Sequence, residues 1–171
     1  MIFTLPNLLS LSRIPLAFVF LQENIPLRCM ALVLAVLTDI ADGYIARSYN
    51  QKSKLGALID PLADKFFVLF VLIVLITEGR LTVLESVMMM SRDFAILLFG
   101  FYLAFYGTLK KYQFRSIWSG KVATTFQFAA ILALTWRYSL PGYLYGIFVV
   151  LGFFALIELS IREHSHEAGK G

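Results

Sequence analysis

The stretch TDIADGYIARSYNQKSKLGALIDPLADK, residues 38–65, places four aspartates between segments that otherwise consist mainly of apolar residues. Asp39 and Asp42 are three residues apart, and Asp60 and Asp64 are four residues apart. On an α-helix of 3.6 residues per turn, the two members of each pair lie on nearly one face. Two helices joined by a short loop are commonly antiparallel neighbours, so we expect all four carboxylates to form one cluster.

The composition indicates a membrane protein. The 171 residues are 59% hydrophobic with a mean hydropathy of +0.77, whereas soluble domains are about 45–50% apolar. The apolar runs extend around whole helix circumferences, which favours a membrane bundle over a soluble one. The length fits a single domain, residues 1–171. The formal net charge of +4 is spread over short loops, which predicts anionic membrane lipids rather than nucleic acid as partners.

The hydropathy pattern predicts an all-α fold, an integral membrane bundle of six transmembrane helices with a short N-terminal interfacial segment. A helix that crosses about 30 Å of hydrocarbon needs around 20 residues. The interfacial segment is residues 1–13, with Arg13 near the boundary of the first span. The predicted spans are residues 8–22, 28–49, 57–77, 82–106, 118–137 and 141–161.

The basic residues predict the orientation of this bundle. Lysine and arginine are concentrated after the second and fourth predicted spans, whereas the opposite face has only Arg28, Arg80 and Arg137. By the positive-inside rule, both termini and the two basic loops face the cytoplasm, and we expect a bacterial inner membrane. Asp39 lies eight residues before Arg47, or about 12 Å along a helix, so the acidic cluster is expected just inside the cytoplasmic leaflet.

Four carboxylates in a small volume repel one another unless they are protonated or neutralised. Two divalent cations would cancel their charge, and oxygen ligands without cysteine or histidine favour Mg²⁺ or Mn²⁺ over zinc. Two such ions form the usual clamp for displacement at phosphorus. The small Gly43 and Ala46 would let a phosphate-bearing ligand approach, and Arg47 could bind its phosphate. A proton or cation path of a transporter is the alternative explanation of these acids.

The full pattern is D-x2-D-G-x2-A-R-x8-G-x3-D-x3-D, and it resembles the signature of the CDP-alcohol phosphatidyltransferase family. This resemblance implies a six-helix membrane enzyme, commonly a homodimer, that displaces CMP from CDP-diacylglycerol with an alcohol. It further implies that Asp39, Asp42 and Asp60 ligate the metal ions, with Asp64 as general base and a further ligand. By the same resemblance, the CDP site is lined by Gly43, Ala46 and Arg47, and the remaining motif position is Gly56.

Three further segments bear on the acceptor alcohol. TLPNLLSLSRIPLAF (residues 4–18), SRDF (91–94) and SGKVATTFQ (119–127) are similar to segments of family members that use glycerol 3-phosphate and of relatives that use phosphatidylglycerol. We expect transfer to glycerol 3-phosphate in phospholipid biosynthesis, with phosphatidylglycerol, or another acceptor such as an inositol phosphate, as the alternatives. The acceptor phosphate is expected to bind basic side chains, namely Arg92, Arg115 and Lys121.

Overall fold

The computed structural model describes the backbone of residues 5–48, 56–105 and 118–168, and side chains within 8–41, 62–96, 98 and 123–158. Within these ranges every regular element is a helix, which confirms the all-α prediction. The elements are α1 Leu5–Leu11, α2 Arg13–Phe18, a 3₁₀ turn Val19–Leu21, α3 Ile25–Ser48, α4 Gly56–Thr77, α5 Val83–Phe105, α6 Trp118–Thr135 and α7 Gly142–Ala168.

The region of the first predicted span, residues 8–22, is helical, but in three consecutive pieces instead of one. α1 ends at Leu11, α2 starts at Arg13, and the 3₁₀ turn follows α2 directly. Pro15 explains the break, because it has no N–H to donate and its ring clashes with the carbonyl four residues earlier, that of Leu11. At the break, the Ser12 hydroxyl donates to the Leu9 carbonyl oxygen at 2.6 Å. The backbone stays in the α region through Ser12, and Arg13 is the first residue of α2.

Helix starts follow the capping residues of the sequence. The Asn24 side-chain oxygen accepts the backbone N–H of Leu27 at 3.3 Å and caps the start of α3. Thr82 and Glu85 form a capping box at α5, in which Glu85 Oε2 accepts the Thr82 N–H at 2.7 Å and the Thr82 hydroxyl accepts the Glu85 N–H at 3.3 Å. The later predicted spans therefore start within three residues of the observed helices.

Two helices end in the same C-terminal motif with different residues. α4 ends in a Schellman motif with Gly79 at φ 68°, and α6 ends in one with Arg137 at φ 63°. The closing backbone hydrogen bonds of both motifs are 2.9–3.1 Å long. Glycine adopts a positive φ freely, whereas a residue with a Cβ loses roughly 1–2 kcal/mol there. Arginine is therefore an unfavourable choice at the end of α6.

The chain forms two compact units. Unit 1 comprises Met1–Leu81 and Ile131–Ser139, and unit 2 comprises Thr82–Ala130 and Leu140–Gly171. In unit 1, α1 and α2 pack against both α3 and α4. Its buried core contains Ala17, Phe20, Ala31, Phe67, Val71 and Leu75.

Unit 2 is built on α5 and α7, which pack extensively against each other. A Cβ added at Gly152 of α7 would lie 3.2 Å from both the Cα and the N of Arg92, so the two backbones are close there. The rings of Phe126 and Phe148 pack with centroids 5.3 Å apart. Close contact of α5 and α7 therefore depends on the missing side chain at Gly152.

Membrane crossing is a separate question from helix formation. Within the ranges given above, no helix contains an 18-residue window apolar and uncharged enough to qualify as a membrane span. The helical character of the predicted segments is confirmed, and their crossing of a membrane stays a prediction.

Candidate functional site

Arg13 connects the two aspartate-bearing helices. Its Nη2 donates to Asp39 Oδ1 on α3 at 3.2 Å, and its Nη1 donates to Asp64 Oδ1 on α4. An arginine stays protonated and presents its donors in a fixed fork, so one guanidinium can hold two carboxylates at once. The structure thus brings together one aspartate from each predicted pair.

Local packing explains how Arg13 reaches both helices. α2, of which Arg13 is the first residue, packs on α3 and α4. Small side chains are buried on all three helices near the site, at Ala17, Ala35 and Ala63. Such residues leave room for close approach of the helix backbones, which lets Arg13 of α2 reach both α3 and α4.

The site is asymmetric in its exposure to solvent. The Arg13 side chain is 2% exposed, whereas those of Asp39 and Asp64 are 54% and 43% exposed. A buried guanidinium is stable only when it is paired and hydrogen-bonded, and the two carboxylates provide that pairing. Carboxylate oxygens are hard donors, which is the donor chemistry that Mg²⁺ and Mn²⁺ bind.

The other motif residues are placed by backbone only. They lie on helices, but their side chains fall outside the part that the structure describes. Within that part, no group of three or more histidine, cysteine, aspartate or glutamate side chains could hold a metal ion. The fourfold acidic cluster and the CDP site therefore stay predictions. The residues concerned are Asp42, Gly43, Ala46 and Arg47 on α3, and Gly56 and Asp60 on α4.

The predicted acceptor residues belong to unit 2. Arg92 Nη1 lies 3.8 Å from Asp93 Oδ1, and their side chains are 14% and 20% exposed. Arg92 Nε is buried without a hydrogen-bond partner among the described residues. Arg115 lies outside the described residues, and Lys121 lies on α6 with its side chain outside them. Convergence of these three residues on an acceptor phosphate stays a prediction.

Arg13 is the site residue that sequence reasoning missed. It was expected only to mark the boundary of the first span. The signal was available, because Arg13 is a charged residue within a predicted span, and a charge in such a position is a functional candidate by default.

Comparison with known proteins gives both a family and individual relatives. A family model described as CDP-alcohol phosphatidyltransferase matches residues 3–157. The chain is 40% identical over 107 residues to a cardiolipin synthase (CMP-forming) of Rattus norvegicus, covering 60% of this chain but only 35% of the relative.

Several relatives carry the name CDP-diacylglycerol–glycerol-3-phosphate 3-phosphatidyltransferase. The one from Aquifex aeolicus is 39% identical over 104 residues, covering 57% of this chain and 58% of the relative. The one from Pectobacterium atrosepticum is 36% identical over 145 residues, covering 79% of this chain and 78% of the relative. The match to the Pectobacterium protein thus covers most of this chain and most of the relative. The match to the rat protein covers only about a third of that protein's length.

Proposed function

The chain belongs to the CDP-alcohol phosphatidyltransferase family, and on that basis we propose that it transfers the phosphatidyl group of CDP-diacylglycerol to glycerol 3-phosphate. The products are CMP and phosphatidylglycerophosphate. The observation that carries the proposal is the Arg13 bridge, because it joins the first and last aspartates of the family motif, Asp39 and Asp64, in one site. The glycerol 3-phosphate acceptor is supported by the Pectobacterium relative, which matches 79% of the chain.

Cardiolipin synthesis is the second candidate function. It is favoured by the rat cardiolipin synthase, which is 40% identical over 60% of this chain. In that reaction the acceptor is the hydroxyl of phosphatidylglycerol. The donor, the metal ions and the acidic site are the same in both candidates, so only the acceptor separates them.

The motif aspartates hold the metal ions in this proposal. Asp39, Asp42 and Asp60 would bind two divalent cations, Mg²⁺ or Mn²⁺, with Asp64 as a further ligand. When bound, such ions neutralise the diphosphate of the donor and stabilise the charge of the departing CMP. Gly43, Ala46 and Arg47 would line the CDP site on α3.

Asp64 is the proposed general base. The acceptor hydroxyl oxygen forms a bond to the β-phosphorus, the bond from that phosphorus to the CMP oxygen breaks, and Asp64 takes the hydroxyl proton. Arg13 occupies Oδ1 of Asp64, so we assign proton acceptance to Oδ2. Arg13 is a positioning residue in this scheme, because it acts through Asp39 and Asp64. Arg92, Arg115 and Lys121 would bind the acceptor phosphate.

We place the enzyme in a bacterial inner membrane, with residues 1–171 as one domain, six spans, and the site and both termini facing the cytoplasm. A homodimer is part of the same proposal. Many large apolar side chains are exposed in the described residues, among them Leu62, Leu98 and Phe153, which supports contact with lipid. The lipid tails of CDP-diacylglycerol require a site near a leaflet boundary.

The test is a reconstitution with separate acceptors. Purified full-length protein receives CDP-diacylglycerol and Mg²⁺ with either glycerol 3-phosphate or phosphatidylglycerol, and CMP and lipid products are identified by mass spectrometry. We expect phosphatidylglycerophosphate and CMP in the first reaction. Cardiolipin in the second reaction alone would select the second candidate. Ion flux through proteoliposomes without CMP release would instead indicate a transporter.

A further inference from the structure

Unit 1 contains a polar cavity that the proposed reaction does not use. It has a volume of about 500 Å³, within the range of about 300–1,000 Å³ that is typical of small-molecule sites. It lies beyond Thr77, the last residue of α4, and is thus about 20 Å along that helix from Asp64. Its lining includes Glu23, Glu78, Gly79, Arg80, Arg137 and Tyr138.

A hydrogen-bonded network fixes one wall of this cavity. The buried Arg28 donates to both carboxylate oxygens of Glu78, with Nη1 3.0 Å from Oε2, and to the Gln22 carbonyl oxygen at 2.6 Å. Arg80 Nε lies 2.8 Å from Glu78 Oε2, and Arg80 Nη1 donates to the Thr135 carbonyl oxygen at 2.9 Å. The wall is therefore tied to the start of α3 and to the end of α6.

The charges around the cavity leave a positive excess. The hydrogen bond from Arg28 lowers the pKa of the Glu78 carboxyl, which stays ionised at neutral pH. The single negative charge of Glu78 then faces the positive charges of two guanidinium groups, those of Arg28 and Arg80. Arg137 adds a further positive charge, and within the described residues its guanidinium makes no ion pair or hydrogen bond. Glu23 is the remaining acid of the lining, and it also makes no ion pair there.

The backbone at Arg137 indicates that its side chain has a role. α4 and α6 end in the same motif and both ends line the cavity, but α4 has Gly79 at the positive φ where α6 has Arg137. A positive charge near a helix C-terminus is favourable, yet it does not require the left-handed position. A residue held in a sparsely populated backbone region is an indicator of function.

The aromatic residues beside Arg137 indicate the kind of ligand. Trp136 and Tyr138 are each more than half exposed. Tryptophan and tyrosine are enriched at the level of lipid headgroups, because each combines an apolar ring with a polar group. A ligand in this cavity would therefore lie where phospholipid headgroups lie.

We propose that this cavity binds the headgroup of an amine-bearing phospholipid such as phosphatidylethanolamine, with Arg137 on the phosphate and Glu23 on the amine. The fork of an arginine guanidinium matches the geometry of phosphate oxygens. Outside the hydrogen-bonded network around Glu78, the lining has one cationic side chain, Arg137, and one anionic side chain, Glu23. The site is separate from the aspartates and requires no transfer chemistry.

Isothermal titration of the full-length protein in neutral detergent with dihexanoyl-phosphatidylethanolamine tests the proposal. This lipid is neither donor nor acceptor in the proposed reaction, so an inactive enzyme leaves the result unaffected. Arg137→Gly should weaken lipid binding about tenfold to a hundredfold, because it removes the hydrogen-bonded charge pair between the guanidinium and the lipid phosphate. Glycine suits the backbone there, so the thermal unfolding midpoint should not fall.

Two further variants make the test specific. Arg137→Lys keeps the charge and should retain most of the binding, whereas Glu23→Gln should weaken it severalfold. Unchanged binding in Arg137→Gly, or no binding by the unaltered protein, would overturn the proposal. If inorganic phosphate displaces the lipid at a concentration equal to that of the lipid, the lipid assignment is overturned, and the cavity is a site for free anions instead.

Discussion

Replacing Arg13 by methionine is the sharpest test of the candidate site. Methionine keeps an apolar stem of similar length but removes the donors to Asp39 and Asp64. Hydrogen bonds to charged groups contribute about 1.5–3 kcal/mol each, and solvent reduces this here because both carboxylates are about half exposed. We expect the free energy of unfolding to fall by about 1–3 kcal/mol.

The same change should affect catalysis more specifically than stability. A misplacement of about 1 Å can lower a rate about a hundredfold, so we expect kcat/KM for CMP release to fall roughly tenfold to a hundredfold in Arg13→Met. Arg13→Lys keeps the charge but loses the fork that spans two carboxylates, and its activity should be intermediate.

Metal and nucleotide binding separate a positioning role for Arg13 from general damage. Removing a positive charge from beside Asp39 and Asp64 should leave Mn²⁺ affinity equal or higher, as measured by electron paramagnetic resonance of free Mn²⁺. CDP binding should weaken in the same variant. Activity within twofold of the unaltered protein, or an equal loss of Mn²⁺ and CDP binding, would refute the assigned role.

Three other perturbations have defined outcomes. Asp60→Asn should lower CMP release by at least about a hundredfold, because it removes the negative charge of a proposed metal ligand. His166→Ala in the C-terminal segment should leave CMP release nearly intact. Equal effects of the two changes would contradict the site assignment. Gly152→Ala should destabilise the protein by about 1–3 kcal/mol in denaturant unfolding, because its Cβ would crowd the α5 backbone; Gly146→Ala, with open space around it, should not. Because the hydrogen bond from Arg28 lowers the pKa of Glu78, its stabilising contribution is fully present above the ordinary pKa of a glutamate and is lost as the pH falls through the lowered value. Unfolding free energies in acid should therefore depend less on pH in Glu78→Gln.

The sequence predicted helices well because their ends carry local signals. The Asn24 cap, the Thr82 to Glu85 capping box and Gly79 each act within one turn, so they can be recognised without knowing the rest of the fold. The break at Ser12 was also encoded locally, by Pro15, but the continuous hydropathy of residues 8–22 concealed it. Hydropathy averaged over a window does not resolve an interruption of one residue.

The contacts of Arg13 were not predictable in the same way. Asp39 and Asp64 lie 26 and 51 residues from it, and only the packing of α2 on both α3 and α4 brings the three together. The αL backbone of Arg137 was hidden for a different reason. Its residue type contradicts the glycine preference of the motif, so no local rule would assign a Schellman ending to α6.

Arg13 also changes the charge balance of the proposed site. Four motif aspartates together with Arg13 and Arg47 carry a net charge of −2, and two divalent cations bring the total to +2. The diphosphate of the donor carries about two negative charges, so a positive site attracts it. Without Arg13 the net charge of the loaded site would fall to +1, and the attraction for the donor would weaken. Donor affinity in Arg13→Met should accordingly fall more at low ionic strength than at high, because salt screens the contribution that Arg13 makes.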